Sequence, residues 1–232
     1  MLKRNIKLYL TAELMLLIAA KAGEFAGIPS GSFGAVEFAA ILLNTIVALV
    51  YYLKYGRGRT ARANLAAYAL FVTLAGDVFL TLISTEAVYV PGILLFCAAE
   101  MLYAAYLGPC AWSAGLQTGL AAAGIFVLQR TGNLSIASAL GALDLALLTV
   151  NMITAWMRAA KRTPLLFRIG ITLFFLCDSF IALRMVTAGT ARDIIAFMVW
   201  VFYAPSQVAI TMSYVREVTQ EESGEAAAAR ER

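Results

Sequence analysis

Eight long apolar runs follow one another along the chain, and the short connections between them carry most of the charged residues. A helix needs about 20 predominantly apolar residues to cross the hydrocarbon core of a membrane. The pattern therefore predicts an all-α fold, a polytopic bundle of eight transmembrane helices. We place the helices near 6–22, 34–54, 63–84, 91–108, 112–129, 134–157, 165–185 and 193–214.

The basic residues in the connections predict the orientation of this bundle. Of the 18 Lys and Arg residues, fourteen fall on the side of the two termini, and Lys21, Arg130, Arg184 and Arg192 fall on the other. Because basic connections stay in the cytoplasm, we expect both termini to be cytoplasmic, in a multi-pass protein of the bacterial cytoplasmic (inner) membrane. Residues 1–215 then form one transmembrane domain, and 216–232 a charged cytoplasmic tail.

The amino-acid composition excludes several kinds of functional site. The chain is 62% hydrophobic and only 14% charged, and it contains no histidine, which excludes HExxH zinc sites and Ser-His-Asp triads. The three cysteines show no CxxC spacing and are typical of small core residues. We expect no metal, no cofactor and no nucleic-acid partner, since topology explains the basic excess. The oligomeric state stays open.

Two segments indicate an internal duplication. Residues 34–48 resemble residues 141–155, and each segment carries an acid at its fourth position (Glu37, Asp144) and an asparagine seven residues later (Asn44, Asn151). A basic connection and a helix with a central aspartate follow each. This predicts a parallel repeat of four helices per half, 1–108 and 109–215; chance similarity between Ala- and Leu-rich helices is the alternative. Because Glu37 and Asp144 each open a helix, we expect them near the outer water interface, where they are less suited to catalysis.

Carboxylates at the depth of the membrane are the strongest functional signal. Asp77 and Asp178 have apolar neighbours on both sides, Glu100 is placed similarly, and Gln207 follows a helix-kinking Pro205. A charged group at that depth costs at least about 2.5–3.5 kcal/mol by insertion scales, so it usually has a partner or a role. Burial without a cation favours the neutral acid, and a close pair of acids can offer one proton donor and one acceptor.

Two other interpretations of these acids stay open at this stage. They could only hydrogen-bond between helices, or they could couple proton or cation transport. Arg184, six residues after Asp178, could neutralise an acid or extend outward to the interface.

Several motifs together resemble the YhhN-type lysoplasmalogenase family. Its Gly-Asp pair and the following Gly-x-x-x-Phe-x-x-x-His-x-x-Tyr helix are similar to residues 76–80 and 92–103, with Glu100 in place of the histidine. Its Phe-x-x-Ser-Asp and final Tyr-x-x-x-Gln motifs are similar to residues 173–182 and 203–207. The family's lysine-proline pair in the second helix is absent here.

The resemblance implies an eight-helix hydrolase that cleaves the vinyl ether bond of a lysoplasmalogen into a fatty aldehyde and a glycerophospho head group. It implies that Asp77 and Asp178 are catalytic, one as the acid and the other as the base or stabiliser. Positioning of water or substrate is then expected of Glu100, Gln207, Asn151, Asn44, Tyr103 and Tyr203. The lysophospholipid substrate would enter from membrane lipid. The alternative function is a transporter or lipid-binding protein that uses the same carboxylates.

Overall fold

The computed structural model describes residues 2–25, 34–56, 61–83, 85–158 and 163–230, and nearly all of them are helical. Eight α-helices follow in the predicted order, so the all-α expectation is confirmed. They are α1 (Leu2–Phe25), α2 (Gly34–Tyr51), α3 (Ala61–Asp77), α4 (Glu86–Leu107), α5 (Ser113–Arg130), α6 (Ile136–Met157), α7 (Leu165–Val186) and α8 (Thr190–Arg230). Helices α2 and α3 continue into π-helical segments, Tyr52–Gly56 and Val78–Ile83.

Six helical segments among the described residues are long and apolar enough to cross a membrane, as expected for a multi-pass membrane protein. They are Gly34–Tyr55, Arg62–Ile83, Val88–Leu107, Ile136–Met157, Leu165–Met185 and Thr190–Gln220. Helices α1 and α5 are not among them. The prediction of orientation also used the basic residues at positions 57, 59, 161, 162 and 232, which lie outside the described residues.

Local sequence signals explain where the helices begin and end. Ser135 begins α6 with a capping box: its hydroxyl accepts the Ser138 backbone N–H at 3.1 Å, and the Ser138 hydroxyl accepts the Ser135 N–H at 2.8 Å. Gly108 ends α4 with a φ of 85°, a conformation that favours glycine. α8 passes through Pro205 and continues to Arg230, so the predicted tail extends this helix.

Most helices pack against their neighbours in the sequence, and the α4–α6 and α2–α8 contacts join the two halves of the bundle. α3 packs on α4, α4 on α6, α6 on α7, and α7 along α8; α2 closes the other side against α8. α5 packs against α6 at the periphery, and most of its side chains are exposed. The core lies between α3, α4, α6, α7 and α8, and contains Phe96, Tyr103, Phe167, Phe174 and Ile210.

Candidate active site

Asp77 lies at the end of α3, where it accepts a hydrogen bond across the bundle. The Tyr203 hydroxyl of α8 donates to Asp77 Oδ2 at 2.6 Å, and both side chains are buried. The Tyr203 ring is held by Trp200 and Phe174, with ring centroids 5.4 and 5.7 Å away. These contacts fix the direction from which the hydroxyl reaches Asp77.

The backbone changes from α-helical to π-helical geometry directly after Asp77. Asp77 is the last α-helical residue of α3, and a six-residue π-helical segment follows it directly. Such irregular turns occur frequently at functional sites, because they redirect side chains within a helix. The preceding Gly76 lets α4 approach closely: a Cβ at this position would lie 2.8 Å from the Phe96 ring. Gly76 therefore allows α3 to pack closely on α4, and Asp77 places a carboxyl group inside the bundle.

Asp178 of α7 meets a second acid, Asp144 of α6. The two carboxyl groups are within hydrogen-bonding reach of each other, and Cys97 also contacts Asp144. Asp144 is buried inside the bundle, with 7% of its surface exposed, and its expected place near the outer water interface stays a prediction. Asp178 is less buried than Asp77 and Asp144, because part of its residue surface remains exposed.

Glu100 of α4 completes the acid cluster, which we define as Asp77, Glu100, Asp144 and Asp178. The amide nitrogen of Asn151 on α6 donates to Glu100 Oε2 at 2.7 Å and to the Glu100 carbonyl oxygen at 2.8 Å. Glu100 is completely buried and lies close enough to Asp144 and Asp178 to interact with both charges. Asp178 in turn interacts electrostatically with Asp77.

The charges of this cluster are not compensated. No basic side chain among the described residues pairs with any of the four acids, and Arg184 is exposed. Isolated charges are very costly to bury, and carboxylates close together repel one another. All four groups therefore cannot be ionised at once, so the cluster holds protons that it can exchange.

The remaining predicted positioning residues lie at different distances from these acids. Tyr103 is buried close to Glu100 and packs on Phe167, with ring centroids 5.7 Å apart. Gln207 is buried on α8, one turn beyond Tyr203, and its amide nitrogen donates to the Ser206 hydroxyl at 3.5 Å. Both side chains belong to the surroundings of the cluster.

Asn44 does not join the acid cluster, although the sequence comparison pairs it with Asn151. Its amide nitrogen donates to Glu13 of α1 at 2.8 Å, and its side-chain oxygen accepts the Tyr9 hydroxyl. Nearby, Lys21 and Glu37 form a buried ion pair at 3.0 Å. In this part of the bundle an acid is neutralised by a cation, whereas Asp144 faces another acid.

The acid cluster has two cysteine neighbours. Cys97 and Cys177 are buried beside Asp144 and Asp178. Among the described residues, no group of three or more His, Cys, Asp or Glu side chains is arranged to hold a metal ion. The arrangement therefore offers carboxyl groups, a tyrosine hydroxyl and an amide, which are the groups of proton-transfer chemistry.

A large cavity lies apart from the acids, between α1, α2 and α8. It has a volume of about 420 Å³, and aliphatic side chains together with Tyr9, Tyr51 and Tyr55 line most of it, with Lys54 at its edge. Its walls suit an acyl chain, but none of the four acids contributes to them.

The sequence analysis placed Asp144 outside the site, although one signal pointed to its burial. The predicted helix 134–157 begins ten residues before Asp144, so this acid has as many preceding helical residues as a mid-membrane residue should. The contact between Asp144 and Asp178 depends on how α6 packs against α7, so the sequence around either residue does not predict it.

Comparison with known proteins gives one match. The sequence model of the YhhN family matches residues 37–214. This segment contains all four acids, Asn151 and Tyr203. No curated protein and no solved structure matches the chain.

Proposed function

The chain belongs to the YhhN family, which is the lysoplasmalogenase family, and from this we propose that it is an intramembrane hydrolase that cleaves the vinyl ether bond of lysoplasmalogens. The observation that carries the proposal is the cluster itself. An acid pair, Asp144 with Asp178, lies beside a third acid, Asp77, that accepts a tyrosine hydrogen bond. Vinyl ether hydrolysis needs both a proton donor and a carboxylate.

The first step transfers a proton to the alkene carbon distant from the ether oxygen. We assign this proton to Asp178, because it lies within hydrogen-bonding reach of Asp144 and is the least buried member of the cluster. Two acids this close cannot both be charged without strong repulsion, so the pair retains a proton. Protonation leaves a positive charge shared between the ether oxygen and the adjacent carbon.

Asp77 is assigned to the second step. The hydrogen bond from Tyr203 fixes the orientation of Asp77 and stabilises negative charge that develops on its carboxyl group during the step. A carboxylate at this place stabilises the positive intermediate and accepts a proton from the attacking water, as paired acids do in glycosidases. Water adds to the carbon, and the resulting hemiacetal collapses to a fatty aldehyde and the free glycerol hydroxyl. The net reaction consumes one water, and the proton returns to the acid pair.

The substrate is expected to arrive from the bilayer. The last turns of α7 beyond Asp178 present exposed apolar side chains, including Ile181, Leu183 and Met185. A lysolipid that enters along this surface brings its vinyl ether to the depth of Asp178, with its chain directed deeper into the bilayer. Its head group then points toward the nearer aqueous interface.

A transporter that uses the same carboxylates has weaker support. Carriers typically break their helices at matching positions of the two halves. α3 changes to a π-helical segment after Asp77, whereas α7 runs as a regular helix through Asp178. Binding of lysolipid without hydrolysis would be an outcome of the test below.

Aldehyde release from a lysoplasmalogen tests the proposal directly. The purified protein in lipid nanodiscs is compared with Asp77→Asn, Asp178→Asn and, as the matched control, Asp193→Asn, which changes an exposed acid in the first turn of α8. General acid–base groups contribute about 10²–10⁴-fold, so the first two variants are expected to lose this much and the control to lose nothing. Full activity in both aspartate variants would exclude the mechanism. No aldehyde from a folded wild type that binds lysolipid would favour the binding or transport function.

A further inference from the structure

A small polar cavity lies where α4, α5 and α6 meet, beneath the connection between α4 and α5. Its volume is about 60 Å³. Ser113 and Gln117 of α5 and Asn151 and Thr154 of α6 supply side-chain hydrogen-bonding groups, and Leu107 and Val150 cover its apolar side. It is separate from the larger cavity between α1, α2 and α8.

The size and lining of this cavity suit water. A buried water needs about 10–15 Å³ of such volume and between two and four polar partners. The space therefore accommodates more than one water, and four polar side chains surround it. Apolar ligands of useful size would not fit, and the polar groups would lose their hydration if one did.

Asn151 connects the cavity to the acid cluster. Both hydrogen bonds of its amide nitrogen go to Glu100, one to the carboxyl group and one to the main-chain carbonyl. No group among the described residues donates to the side-chain oxygen of Asn151, which lines the cavity and can accept a hydrogen bond from water there. On the far side, Oε1 of Glu100 has no hydrogen-bond partner among the described residues, and Glu100 interacts with Asp144 and Asp178.

The cavity lies close to one end of the bundle. The Arg158 guanidinium at the end of α6 donates to the carbonyl oxygens of Gly108 and Pro109, at 3.1 and 2.9 Å, and so fixes the connection that covers the cavity. At the same end, the Tyr106 hydroxyl donates to Glu217 at 2.8 Å. The excess of basic residues predicts that this end is cytoplasmic.

We propose that this cavity is a hydration site that supplies water to the acid cluster from the end of the bundle carrying the α4–α5 connection. The polar path runs from the cavity through Asn151 and Glu100 to Asp144 and Asp178. Asn151 acts on this path as a positioning residue, because its amide nitrogen holds Glu100. The inference rests on the proposed hydrolysis, which consumes one water per turnover at a buried site, while the substrate arrives from the lipid side.

Radiolytic hydroxyl-radical labelling of the wild-type protein in nanodiscs tests the hydration without any activity measurement. Internal water produces radicals that modify adjacent side chains, so Leu107, which lines the cavity, is expected to be modified. Leu148 of α6 is a buried leucine outside the cavity, with 0% of its surface exposed against 4% for Leu107, and is the reference. Equal, background modification of both leucines would overturn the inference.

A second test measures the supply of water during turnover. Gln117→Leu removes a polar group from the cavity at nearly constant volume, and Gln129→Leu makes the same change at the exposed opposite end of α5. We expect Gln117→Leu to lower kcat about fivefold or more with an unchanged KM, and Gln129→Leu to behave as wild type. Unchanged kcat in Gln117→Leu would contradict the path.

The two tests separate this inference from the proposed function. Modification of Leu107 in a protein that releases no aldehyde supports the hydration site and overturns the hydrolase assignment. Aldehyde release with Leu107 unmodified overturns the hydration site and leaves the hydrolase assignment in place.

Discussion

Asp144 and Asp178 lie on neighbouring helices with their carboxyl groups within hydrogen-bonding reach of each other. No cation among the described residues neutralises them, whereas Glu37, the counterpart of Asp144 in the sequence comparison, is paired with Lys21. The two related segments therefore place an acid in opposite electrostatic settings. The ion pair stabilises a helix contact, and the acid pair retains a transferable proton.

Replacement of Asp144 tests whether the acid pair takes part in the reaction. Asp144→Asn preserves the size of the side chain and a hydrogen bond to Asp178, but it cannot share a proton with it. We expect kcat to fall at least about tenfold, with little change in the amount of folded protein. Aldehyde release is measured alongside Asp193→Asn. Wild-type turnover in Asp144→Asn would restrict the role of Asp144 to helix packing.

Tyr203→Phe removes the hydrogen bond to Asp77 and retains the ring contacts with Trp200 and Phe174. A hydrogen bond to a charged group contributes about 1.5–3 kcal/mol, so we expect kcat to fall about 10- to 100-fold. Tyr89→Phe, which changes an exposed tyrosine of α4, is the control. Equal kcat values for the two variants would show that Asp77 does not need the hydroxyl.

Glu100 occupies the position of the family's histidine, so substitution there tests proton transfer. Glu100→Gln retains a side-chain oxygen that can accept the Asn151 hydrogen bond, but it cannot carry a transferable proton. Glu100→His restores a group that can. We expect the Gln variant to lose at least about tenfold in kcat, and the His variant to retain most of the activity. A Gln variant with full activity would assign Glu100 a purely structural role.

The close packing of α7 on α8 gives a prediction for stability. A Cβ at Gly170 would lie 2.6 Å from Ile210 Cγ1 and 3.1 Å from the Ser206 carbonyl oxygen. Overpacking of this kind costs about 1–3 kcal/mol, so Gly170→Ala is expected to lower the thermal unfolding midpoint in detergent. Gly115→Ala on α5, where no atom lies within 4 Å of the added carbon, is the control and should not lower it. A Gly170→Ala midpoint equal to that of wild type would show that the two helices can separate locally at little cost.

Several helix contacts of the first half have a counterpart in the second, although the α3–α8 and α1–α8 contacts have none among the described residues. The α1–α2, α2–α3 and α3–α4 pairs correspond to α5–α6, α6–α7 and α7–α8, and the α4–α6 contact corresponds to α8–α2. This pattern is what the predicted repeat of four helices requires, and the repeat stays a prediction. The π-helical segment after Asp77 differs from the regular helix around Asp178.

The sequence by itself determined the eight helices, the membrane class of the protein and the family. These features depend on local properties: the length of each apolar run must match the hydrocarbon thickness, and backbone polar groups in lipid must be satisfied within the helix. The sequence also identified Asp77, Glu100 and Asp178, because a carboxyl group within an apolar run is conspicuous without knowledge of its neighbours.

Only the tertiary structure decided which polar groups meet. It placed Asp144 against Asp178, directed Tyr203 to Asp77, and moved Asn44 to a separate group with Tyr9 and Glu13. These outcomes depend on which helices are neighbours and on how each is rotated about its axis. Small residues and side-chain fit between distant segments set both, so no single apolar run contains the information.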